Sequence, residues 1–458
     1  MDNNAMQKII SLSKRRGFIF PSSEIYGGIE GFWDYGPLGS LLKNNIKKLW
    51  LENFVQKRKD IVLIDGSIIM NSKVWQASGH LSAGFSDELV ECKKCNKRFR
   101  YDHLEELKEK EFEKGWRKCP ECGEIIKETP RKFNLMFKTF VGPVEVEQSV
   151  TSRAYLRPET AQSMFTNFKN VLNSSRMKLP FGIAQVGKSF RNEINASNFT
   201  FRSREFEIAE IEYFTNPKQD EKFFNLWLKE WKNFILNLGV KKGNLKEKEH
   251  KKEDLAHYSK RTVDIEYKFP FGWSELAGIA NRTDFDLKQH AEFSGENLMY
   301  QEEDGEKSFF PYVIEPTIGI DRLFLAVLSD AYSEISGGRA GEKSNTKQEA
   351  EIVLKLHKKL APITVAVLPL VKNKKEITKK SEQIYDLLRN YFVVQYDETG
   401  SIGRRYRRQD EIGTPYCITI DFDTLEDGAV TLRDRNTMKQ ERIKIDELLE
   451  KIQKYLND

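Results

Sequence analysis

The sequence of 458 residues predicts a large α+β domain, a small α/β domain at the C-terminal end and a cysteine-rich insertion. Three shifts in composition predict this division. Residues 1–90 are rich in glycine, aromatic and branched residues, whereas residues 91–132 contain four of the five cysteines. Residues 133–332 alternate strand-like runs with Gly, Pro and Asn. After Pro362, strands alternate with helices, which favours a partly parallel sheet.

The large domain combines several strand-like runs with one long helical pattern. Branched and aromatic residues, which favour strands, dominate Phe181–Val186, Phe206–Phe214 and Thr262–Phe269. Bulky residues recur at helical spacing from Pro217 to Leu238 and predict a helix. The run of Lys and Glu from Lys241 to Lys252 predicts a solvated loop.

The small domain is predicted over residues 361–458, after a linker over residues 346–360. The large domain then comprises residues 1–90 and 133–345, on either side of the insertion. In the small domain, apolar runs predict strands and amphipathic runs predict helices. The strands are Ile363–Pro369, Phe392–Tyr396 and Tyr416–Phe422, and the helices are Lys372–Asn390 and Ile443–Tyr455.

The composition excludes some classes of protein but selects no function. A formal net charge of +5 permits an anionic partner without requiring one. Aromatic residues make up 12% of the chain, which supplies large cores and excludes disorder as the main state. No stretch approaches the roughly 20 apolar residues that span a bilayer, and Met1–Arg16 resembles no secretory or transit peptide. These features predict a cytoplasmic protein without a membrane partner.

The cysteine pattern predicts a structural zinc site. Cys92 and Cys95 form one C-x-x-C pair, and Cys119 and Cys122 form a second pair after a slightly long spacer. Two such pairs have the spacing of a zinc ribbon, in which four thiolates hold Zn²⁺ and leave no position for a substrate. The alternative is a set of unmetallated buried thiols. The fifth cysteine, Cys417, lies alone in an apolar strand and is predicted to be core.

Four short motifs carry candidate chemistry. Phe190–Glu193 and Arg202–Glu207 place arginines near strand ends, where a guanidinium can bind a phosphate and nearby carboxylates can bind an amino group or Mg²⁺. Glu315–Arg322 leads into a helical pattern and offers a cation at the start of that helix. Glu275–Ala280 places a carboxylate at the edge of an apolar run. Taken singly, each motif also fits a surface strand or helix start with paired charges.

Together these motifs resemble the class II aminoacyl-tRNA synthetases, whose second and third signature motifs are similar to Phe190–Glu193 and Gly319–Arg322. Longer stretches narrow the resemblance to glycyl-tRNA synthetases of the homodimeric type. The resemblance implies a catalytic domain with an antiparallel sheet flanked by helices. The stretches are SSEIYGGIEGFWDYGPLG (22–39), LRPETAQ (156–162), QVGKSFRNEI (185–194), FRSREFEIAEIEYF (201–214) and ELAGIANRTDFDLKQH (275–290).

For ATP, the resemblance implies contacts from the motif residues. Arg191 would hold the α-phosphate, Phe206 would stack on adenine, and Arg322 would reach the γ-phosphate. The catalytic residues would be Arg191, Glu193 and Arg322, with Glu193 and Glu275 as candidate ligands of Mg²⁺. The implied ATP contacts are Arg191, Asn192, Glu193, Phe201, Arg202, Ser203, Arg204, Glu205, Phe206, Glu275, Leu276, Gly319, Ile320, Asp321 and Arg322.

For glycine, the resemblance implies a pocket rich in carboxylates. Glycine offers only an ammonium and a carboxylate group, so Glu159, Glu210 and Glu315 can bind the ammonium group. Closing the space beside the α-carbon rejects alanine. The implied glycine contacts are Arg100, Glu159, Phe206, Glu207, Ile208, Ala209, Glu210, Glu315, Pro316, Thr317, Ile318 and Gly319. The sequence departs from the family pattern at Ser163, Ile208, Ala209, Ser274 and Thr317, although Thr317 keeps the hydroxyl group of the usual serine.

The implied reaction has two steps. The carboxylate of glycine attacks the α-phosphorus of ATP and gives glycyl-adenylate and pyrophosphate, and the 3′-terminal ribose of tRNA(Gly) then takes the acyl group. Catalysis rests on positioning and on charge neutralisation by Arg191, Arg322 and Mg²⁺, without a nucleophilic side chain. Synthesis of diadenosine tetraphosphate is chemically available as a side reaction, because a second ATP could attack the adenylate.

Residues 361–458 resemble the anticodon-binding domain that several class II enzymes share. Basic residues are bunched there, and Arg404, Arg405, Arg407 and Arg408 surround Tyr406. Bunched cations with an aromatic ring suit phosphate contact and stacking on unpaired bases, so these five residues are candidate tRNA contacts.

Two rival functions remain open on the sequence. A class II synthetase for another amino acid is one, and the segment DYGPLG (34–39) argues against it. A non-catalytic paralogue is the other, and it should have lost Arg191, Arg202, Arg204 and Arg322, which are all present. Glycine-dependent ATP–pyrophosphate exchange separates all three functions.

Overall fold

The structure is a computed structural model that describes residues 3–82, 85–104, 116–142, 152–302, 307–335 and 350–457. The charged run of the insertion and the first four residues of the predicted linker therefore lie outside the described residues. No helix in the described part of the chain is both long enough and apolar enough to cross a membrane.

The described residues of the first third of the chain form α-helices and short strands. Before the insertion these are α1 (Asn3–Arg15), β1 (Ile19–Pro21), β2 (Trp33–Tyr35), α2 (Pro37–Leu51), β3 (Ile61–Leu63) and α3 (Ser72–Ala77). In and next to the insertion they are β4 (Ser86–Glu91), β5 (Arg98–Arg100), β6 (Arg117–Lys118), β7 (Ile125–Ile126), β8 (Arg131–Asn134) and β9 (Lys138–Phe140).

The centre of the large domain follows. Its elements are β10 (Arg153–Tyr155), α4 (Ala161–Thr166), α5 (Phe168–Ser175), β11 (Phe181–Phe190), β12 (Glu205–Thr215), α6 (Asp220–Asn237), β13 (Leu245–Glu249), β14 (Arg261–Phe269), β15 (Gly272–Thr283), α7 (Phe285–Ser294), β16 (Tyr300–Gln301), β17 (Ser308–Phe309), β18 (Tyr312–Gly319), α8 (Ile320–Ala331) and β19 (Tyr332–Ile335).

A seven-stranded sheet organises the large domain, in the order β13-β14-β15-β18-β12-β11-β3. Neighbouring strands are antiparallel except β3 and β11, which are parallel. The strands predicted at 181–186, 206–214 and 262–269 are confirmed, as is the helix at 217–238. The antiparallel sheet that the resemblance implied is therefore present.

Side-chain alternation gives the sheet two different faces. Along β12, Ala209, Ile211 and Tyr213 enter a large apolar core that also contains Trp50 of α2 and Trp231 of α6. The opposite face is covered at one end by apolar side chains of α4, α5 and α7. The other end of this face carries charged side chains and opens into a cavity.

The loop prediction for 241–252 is wrong in its centre. Residues Leu245–Glu249 form β13, the edge strand of the main sheet, which pairs with β14. Lys246 and Lys248 both pair with Glu266 of β14, at 2.8 and 3.3 Å. Charged side chains are common on edge strands because they discourage pairing with another chain, so a charged run here is compatible with a strand.

The C-terminal region contains β20 (Glu351–Leu354), β21 (Val365–Pro369), α9 (Lys375–Leu388), β22 (Val394–Tyr396), α10 (Ile402–Ile412), β23 (Tyr416–Ile420), α11 (Asp423–Asp427), β24 (Ala429–Asp434), β25 (Gln440–Lys444) and α12 (Leu448–Asn457). Five of these strands form a sheet in the order β22-β21-β23-β24-β25. β22, β21 and β23 are parallel and the others antiparallel, which confirms the partly parallel sheet.

Two predictions for this region need correction. The helix expected at Ile443–Tyr455 begins only at Leu448, because Ile443 lies in β25 and packs in the core of the small domain. The segment 350–360, expected to be linker, contains β20, which pairs with β19 of the large domain. Cys417 is buried in β23 as predicted, with 1% of its surface exposed.

Candidate active site

A cavity of about 230 Å³ opens on the polar end of the main sheet. Side chains from the segment between β11 and β12, from β12, β15 and β18 and from the start of α8 surround it. The predicted ATP contacts that line it are Arg191, Glu193, Phe201, Arg202, Ser203, Phe206, Glu275, Leu276, Gly319, Asp321 and Arg322. The predicted glycine contacts that line it are Glu159, Phe206, Glu207, Ile208, Glu210, Glu315, Thr317, Ile318 and Gly319. One cavity therefore brings together most of both sets.

Several predicted contacts lie outside the cavity wall, and strand alternation explains two of them. Ala209 packs in the apolar core on the opposite face of β12. Pro316 faces Ile279 across the β15–β18 pairing, also on the core face. Ile320 is fully buried at the start of α8. Their side chains point away from any ligand in the cavity.

The other predicted contacts outside the wall are engaged elsewhere. Arg204 donates hydrogen bonds to the carbonyl oxygens of Glu30 and Glu193, at 2.5 and 2.9 Å, so its guanidinium fixes the backbone. Arg100 pairs with Asp102 at 2.7 Å in the insertion. Glu205 pairs with Lys188, and the backbone N–H of Asn192 donates to the carbonyl of Leu135 at 2.8 Å.

Three arginines and two carboxylates line one end of the cavity. Arg202 pairs with Glu193 at 3.4 Å, and Arg322 pairs with Glu275 at 3.0 Å. The Arg322 guanidinium lowers the pKa of Glu275. Arg191 is different: among the described residues, no carboxylate lies within 4.0 Å of its guanidinium. Its charge faces the cavity without an ion-pair partner.

The position of Arg191 is fixed by uncharged contacts. Its Nε donates to the carbonyl oxygen of Pro158 at 3.2 Å. Its guanidinium lies 5.5 Å from the ring centre of Phe206 and 5.8 Å from that of Phe85. These contacts hold the side chain in place and leave most of its N–H donors available to an anion.

Asp321 lines the cavity but is occupied by protein partners. Its Oδ1 accepts from Lys43 Nζ at 2.7 Å and from the hydroxyl of Tyr35, and its Oδ2 accepts from the backbone N–H of Glu207 at 2.5 Å. Glu207 itself pairs with Lys43 and Lys47, each at 3.1 Å. The carboxylates of Asp321 and Glu207 thus tie β12 to α2, and the sequence analysis missed the partners Tyr35, Lys43 and Lys47.

The far end of the cavity is lined by carboxylates. Glu210 accepts from the backbone N–H of Thr160 at 2.9 Å and from the hydroxyl of Thr317 at 3.1 Å. Burial and the nearby Glu159 raise the pKa of Glu210. Burial alone would raise the pKa of Glu159 as well, but His80, 3.4 Å away, and Arg282 lower it. Glu159 is therefore the more strongly acidic member of this pair.

Arg282 is the central cation of this end, and the sequence analysis did not find it. Its guanidinium donates two hydrogen bonds of 2.8 Å to Asp286 and contacts both oxygens of Glu315 at 3.0 and 3.1 Å. It also lies 4.1 Å from the ring centre of Tyr258. Burial still raises the pKa of Glu315 to about 8, with Arg282 opposing this effect. An Arg followed by Asp four residues later, at a strand-to-helix junction, was the available signal.

The four predicted zinc ligands converge in the insertion. All four sulfurs lie within 4.8 Å of one another, with Cys92 and Cys122 at 3.6 Å and Cys95 and Cys119 at 3.7 Å. Four sulfurs bound to Zn²⁺ at ~2.3 Å in a tetrahedron are roughly 3.8 Å apart, so the donor set fits this ion.

Both C-x-x-C pairs lie in matching turns. The backbone N–H of Cys92 donates to Lys97 and that of Cys119 donates to Glu124, at 2.9 and 2.8 Å. A residue with positive φ follows each C-x-x-C pair: Asn96 follows the first pair and Gly123 follows the second. Although burial opposes it, backbone N–H groups lower the pKa of the Cys92 thiol to about 7, which favours the thiolate that a metal binds.

The candidate tRNA contacts lie on α10, and two of them have structural roles. Arg405 is 2% exposed and donates to the carbonyls of Pro369 and Leu370. The hydroxyl of Tyr406 contacts that of Thr419, and its ring lies under Arg433. Burial removes Arg405 from a ligand, so the prediction of direct RNA contact is corrected for this residue. Tyr406 is half-buried, and its contact with RNA stays a prediction.

The other three arginines of α10 are accessible to different degrees. Arg408 pairs with Asp397 at 2.6 Å, and Arg407 pairs with Glu351 at 3.2 Å. Arg404 is exposed. The exposed side of α10 therefore offers Arg404 and Arg407 to a partner.

Comparisons with known proteins agree with this geometry. Residues 144–331 match the family described as tRNA synthetase class II core domain (G, H, P, S and T), and residues 364–455 match the family described as anticodon binding domain. Among solved structures, prolyl-tRNA synthetase from Cryptosporidium parvum in complex with halofuginone and AMPPNP has a TM-score of 0.67, with 16% identity. The match covers 100% of this chain and 78% of that one, and at this identity it concerns the fold alone.

The fold and the site thus define a class II aminoacyl-tRNA synthetase core joined to an anticodon-binding domain. Glycine--tRNA ligase of Clostridium acetobutylicum is 52% identical, over 100% of this chain and 99% of that protein. The enzymes of Clostridium tetani and Thermobifida fusca are 53% and 51% identical, over 99% and 97% of this chain and 98% and 97% of theirs. The chain belongs to the glycine--tRNA ligase family, which confirms the resemblance to glycyl-tRNA synthetases, whereas the homodimeric type stays a prediction.

Proposed function

We propose that this protein is an ATP-dependent glycine--tRNA ligase that forms glycyl-adenylate and transfers the glycyl group to the 3′ end of tRNA(Gly). One observation carries the proposal: a single cavity holds an arginine without an ion-pair partner at one end and a set of buried carboxylates at the other. The first suits a phosphate and the second suits an ammonium group.

Each end of the cavity has a role in the first step. Arg191 binds the α-phosphate and neutralises the charge that develops there as the glycine carboxylate attacks. Phe206 offers its ring to adenine, and Arg322 exchanges part of its pairing with Glu275 for the terminal phosphate. The class II core implies Mg²⁺ as well as ATP, and Glu193 and Glu275 are the carboxylates available to hold this ion beside the phosphates.

The carboxylate end selects glycine. Glu159, Glu210 and Glu315 bind the ammonium group, and the hydroxyl of Thr317 keeps Glu210 in place. Ile208 lines the same cavity and lies on the same face of β12 as Glu210, so we expect a larger amino acid to meet its side chain. Selection of glycine therefore rests on the negative charge around its ammonium group and on the lack of space for a side chain at its α-carbon.

Further parts of the proposal concern the whole chain. Residues 1–90 and 133–345 would form the catalytic domain, and residues 361–458 would bind the anticodon with Arg404 and Arg407. The protein would act in the cytoplasm as a homodimer. Synthesis of diadenosine tetraphosphate stays a prediction.

Glycine-dependent ATP–pyrophosphate exchange tests the function directly. The purified protein is expected to exchange with glycine at least about 10²-fold faster than with alanine or serine, because a bulkier side chain meets the closed pocket. Exchange with a different amino acid would favour the first rival function. No exchange with any amino acid, in a protein that unfolds cooperatively, would favour the non-catalytic paralogue.

The zinc site predicts about one equivalent of zinc per chain in protein purified without chelators. The variants Cys95→Ser and Cys122→Ser are expected to lose the metal and part of the activity. Activity depends on the insertion because the carbonyl of Arg98 accepts from the side chain of Asn195, next to Glu193. Cys417→Ser is the matched control and should keep its zinc. Less than half an equivalent in the wild type would contradict the prediction.

A further inference from the structure

Glu212 is a buried carboxyl group that the proposed reaction does not use. It lies on β12 two residues beyond Glu210, and its exposed fraction is 0%. Among the described residues, no hydrogen-bond donor reaches either of its side-chain oxygens. An ionised carboxylate is strongly unfavourable in such a place, so the geometry favours the neutral acid.

The sheet register places Glu212 opposite a residue of the glycine pocket. Glu210 pairs with Thr317 and Tyr213 pairs with Ile314, so Glu212 is directly across from Glu315 on the same face. Side chains in this relation have Cβ atoms about 4.5–5.5 Å apart, and like charges there destabilise a sheet. Only one of the two carboxyl groups can be ionised at little cost.

The surrounding charges decide which of the two keeps the proton. Glu315 contacts Arg282 through both oxygens, whereas no cation of the described residues forms a hydrogen bond with Glu212. Burial and then Glu315 raise the pKa of Glu212 well above its usual value. The other charged groups that face Glu212 are Arg282 on β15, Glu210 on its own strand and Asp286 on α7. Because Arg282 is already engaged by Asp286 and Glu315, the proton belongs to Glu212.

We propose that Glu212 is a positioning residue that stays protonated and donates a hydrogen bond to the ionised Glu315, which it holds ready for the ammonium group of the substrate. A neutral carboxyl group has one donor, and Glu315 is the acceptor directly opposite. The inference rests on the proposed function in that Glu315 binds the ammonium group. It explains why a costly buried acid occupies a place that an apolar residue could fill.

Two substitutions separate the donor from the charge. Glu212→Leu removes the donor and is expected to raise KM for glycine by about tenfold, with KM for ATP unchanged. Glu212→Gln supplies an N–H donor of similar shape and is expected to restore KM to within about threefold of the wild type. If KM for glycine is raised as much in Glu212→Gln as in Glu212→Leu, Glu212 acts through its charge and the proposal fails. An unimpaired Glu212→Leu would overturn it equally.

The pH dependence gives a readout that a merely structural role would not change. Protonation of Glu315, whose pKa is about 8, competes with the ammonium group, so KM for glycine rises as the pH falls. Loss of the donor makes ionised Glu315 less stable and raises its pKa further. In Glu212→Leu the rise of KM should therefore begin at a higher pH, and in Glu212→Gln it should return towards the wild-type position.

Thermal stability provides a second readout. Glu212→Leu leaves the buried, ionised Glu315 without its donor, so its melting temperature is expected to fall, whereas that of Glu212→Gln should stay near the wild-type value. Thr215→Val is the matched control, since the Thr215 hydroxyl is also buried without a partner on β12. That variant should keep the wild-type KM for glycine. A melting temperature for Glu212→Leu above that of Glu212→Gln would contradict the proposed hydrogen bond.

An infrared difference spectrum tests the protonation without reference to activity. The spectrum of the wild type minus that of Glu212→Gln at about pH 9, where Glu315 is ionised because its pKa is about 8, should contain the carbonyl band of one protonated carboxyl group. The paired bands of a carboxylate in its place would overturn the proposal even in an active enzyme. If the wild type shows no glycine-dependent exchange, the proposed function fails, and the spectrum still decides the protonation state of Glu212.

Discussion

Replacing Arg191 by alanine is expected to reduce glycine-dependent ATP–pyrophosphate exchange by about 10³-fold or more. Arg191 combines two properties that the other arginines of the cavity do not share. Its guanidinium has no ion-pair partner among the described residues, and the carbonyl of Pro158 and the rings of Phe85 and Phe206 hold it in place. Its charge is therefore available and oriented before ATP arrives, which is what makes such a group effective in a transition state.

Neither neighbouring arginine can replace it. Arg202 pairs with Glu193, and Arg322 pairs with Glu275. Either would have to break an ion pair and move its side chain to reach the position of Arg191. Arg191→Lys keeps the charge but loses the planar fork, so a loss of about 10²-fold is expected.

The measurement is pyrophosphate exchange at saturating glycine, with thermal unfolding to verify the fold. Arg191→Ala gives up one hydrogen bond of 3.2 Å, so its free energy of unfolding should stay within about 1 kcal/mol of the wild type. Arg389→Ala serves as the control, because Arg389 is an exposed arginine that pairs with Asp386 in the small domain. If Arg191→Ala retains more than about a tenth of the wild-type rate, Arg191 does not bind the α-phosphate.

The sequence was sufficient to predict those helices and strands for which the composition and the hydrophobic period indicate the same structure. The runs at 181–186, 206–214 and 262–269 are strands, because their branched and aromatic residues fill both faces of a covered sheet. The charged run at 241–252 was misjudged because an edge strand can carry charge on both faces. Composition alone does not distinguish such an edge from a loop.

Only those residues of the site that lie in its sequence motifs could be predicted. Period-two alternation along β12 could have separated Ala209 from Ile208 and Glu210, since alternate residues face the core. Burial of single arginines was not predictable. Arg204 and Arg405 resemble exposed cations in the sequence, yet backbone carbonyls engage both guanidinium groups. A side chain's partners come from distant strands and loops, so local sequence does not specify them.

The same limit explains the absence of Arg282 and Glu212 from the predicted site. Arg282 is a ligand of Glu315 only because β15 lies next to β18 in the sheet. Glu212 faces Glu315 only through the register of β12 and β18. Both relations belong to the tertiary structure, and they place Arg282 among several carboxylates.

Replacing Arg282 by methionine is therefore expected to cost about 3–5 kcal/mol in the free energy of unfolding. The side chain of Arg282 is 4% exposed, and its guanidinium forms ion pairs with Asp286 and Glu315. Removal leaves these two buried carboxylates without their cation, and the cost of an uncompensated buried charge exceeds the value of the pair itself. Chemical denaturation, followed by tryptophan fluorescence, measures the change.

The pH dependence of this loss has a definite sign. Without Arg282, the pKa of Glu315, already about 8, rises further in the folded state above that of the unfolded chain. A carboxyl group with a raised pKa in the folded protein destabilises it increasingly as the pH rises from the unfolded pKa to the folded pKa, and the destabilisation disappears only below the unfolded pKa. The variant should therefore lose least stability in mildly acidic solution and most above pH 8.

A second buried ion pair makes it possible to separate the effect of Arg282 on folding from its effect on glycine-dependent exchange. In the small domain Arg433 donates two hydrogen bonds to Asp410, at 3.0 and 2.9 Å, and lies 4.7 Å from the ring centre of Tyr406. Arg433→Met should thus destabilise the small domain by a similar amount and leave glycine-dependent exchange intact, because this reaction needs no tRNA. Arg282→Met should lose exchange even at temperatures where it is folded, because Glu315 is then neutral or misplaced. Equal exchange in the two variants would mean that Arg282 stabilises the fold and does not prepare Glu315 for the substrate.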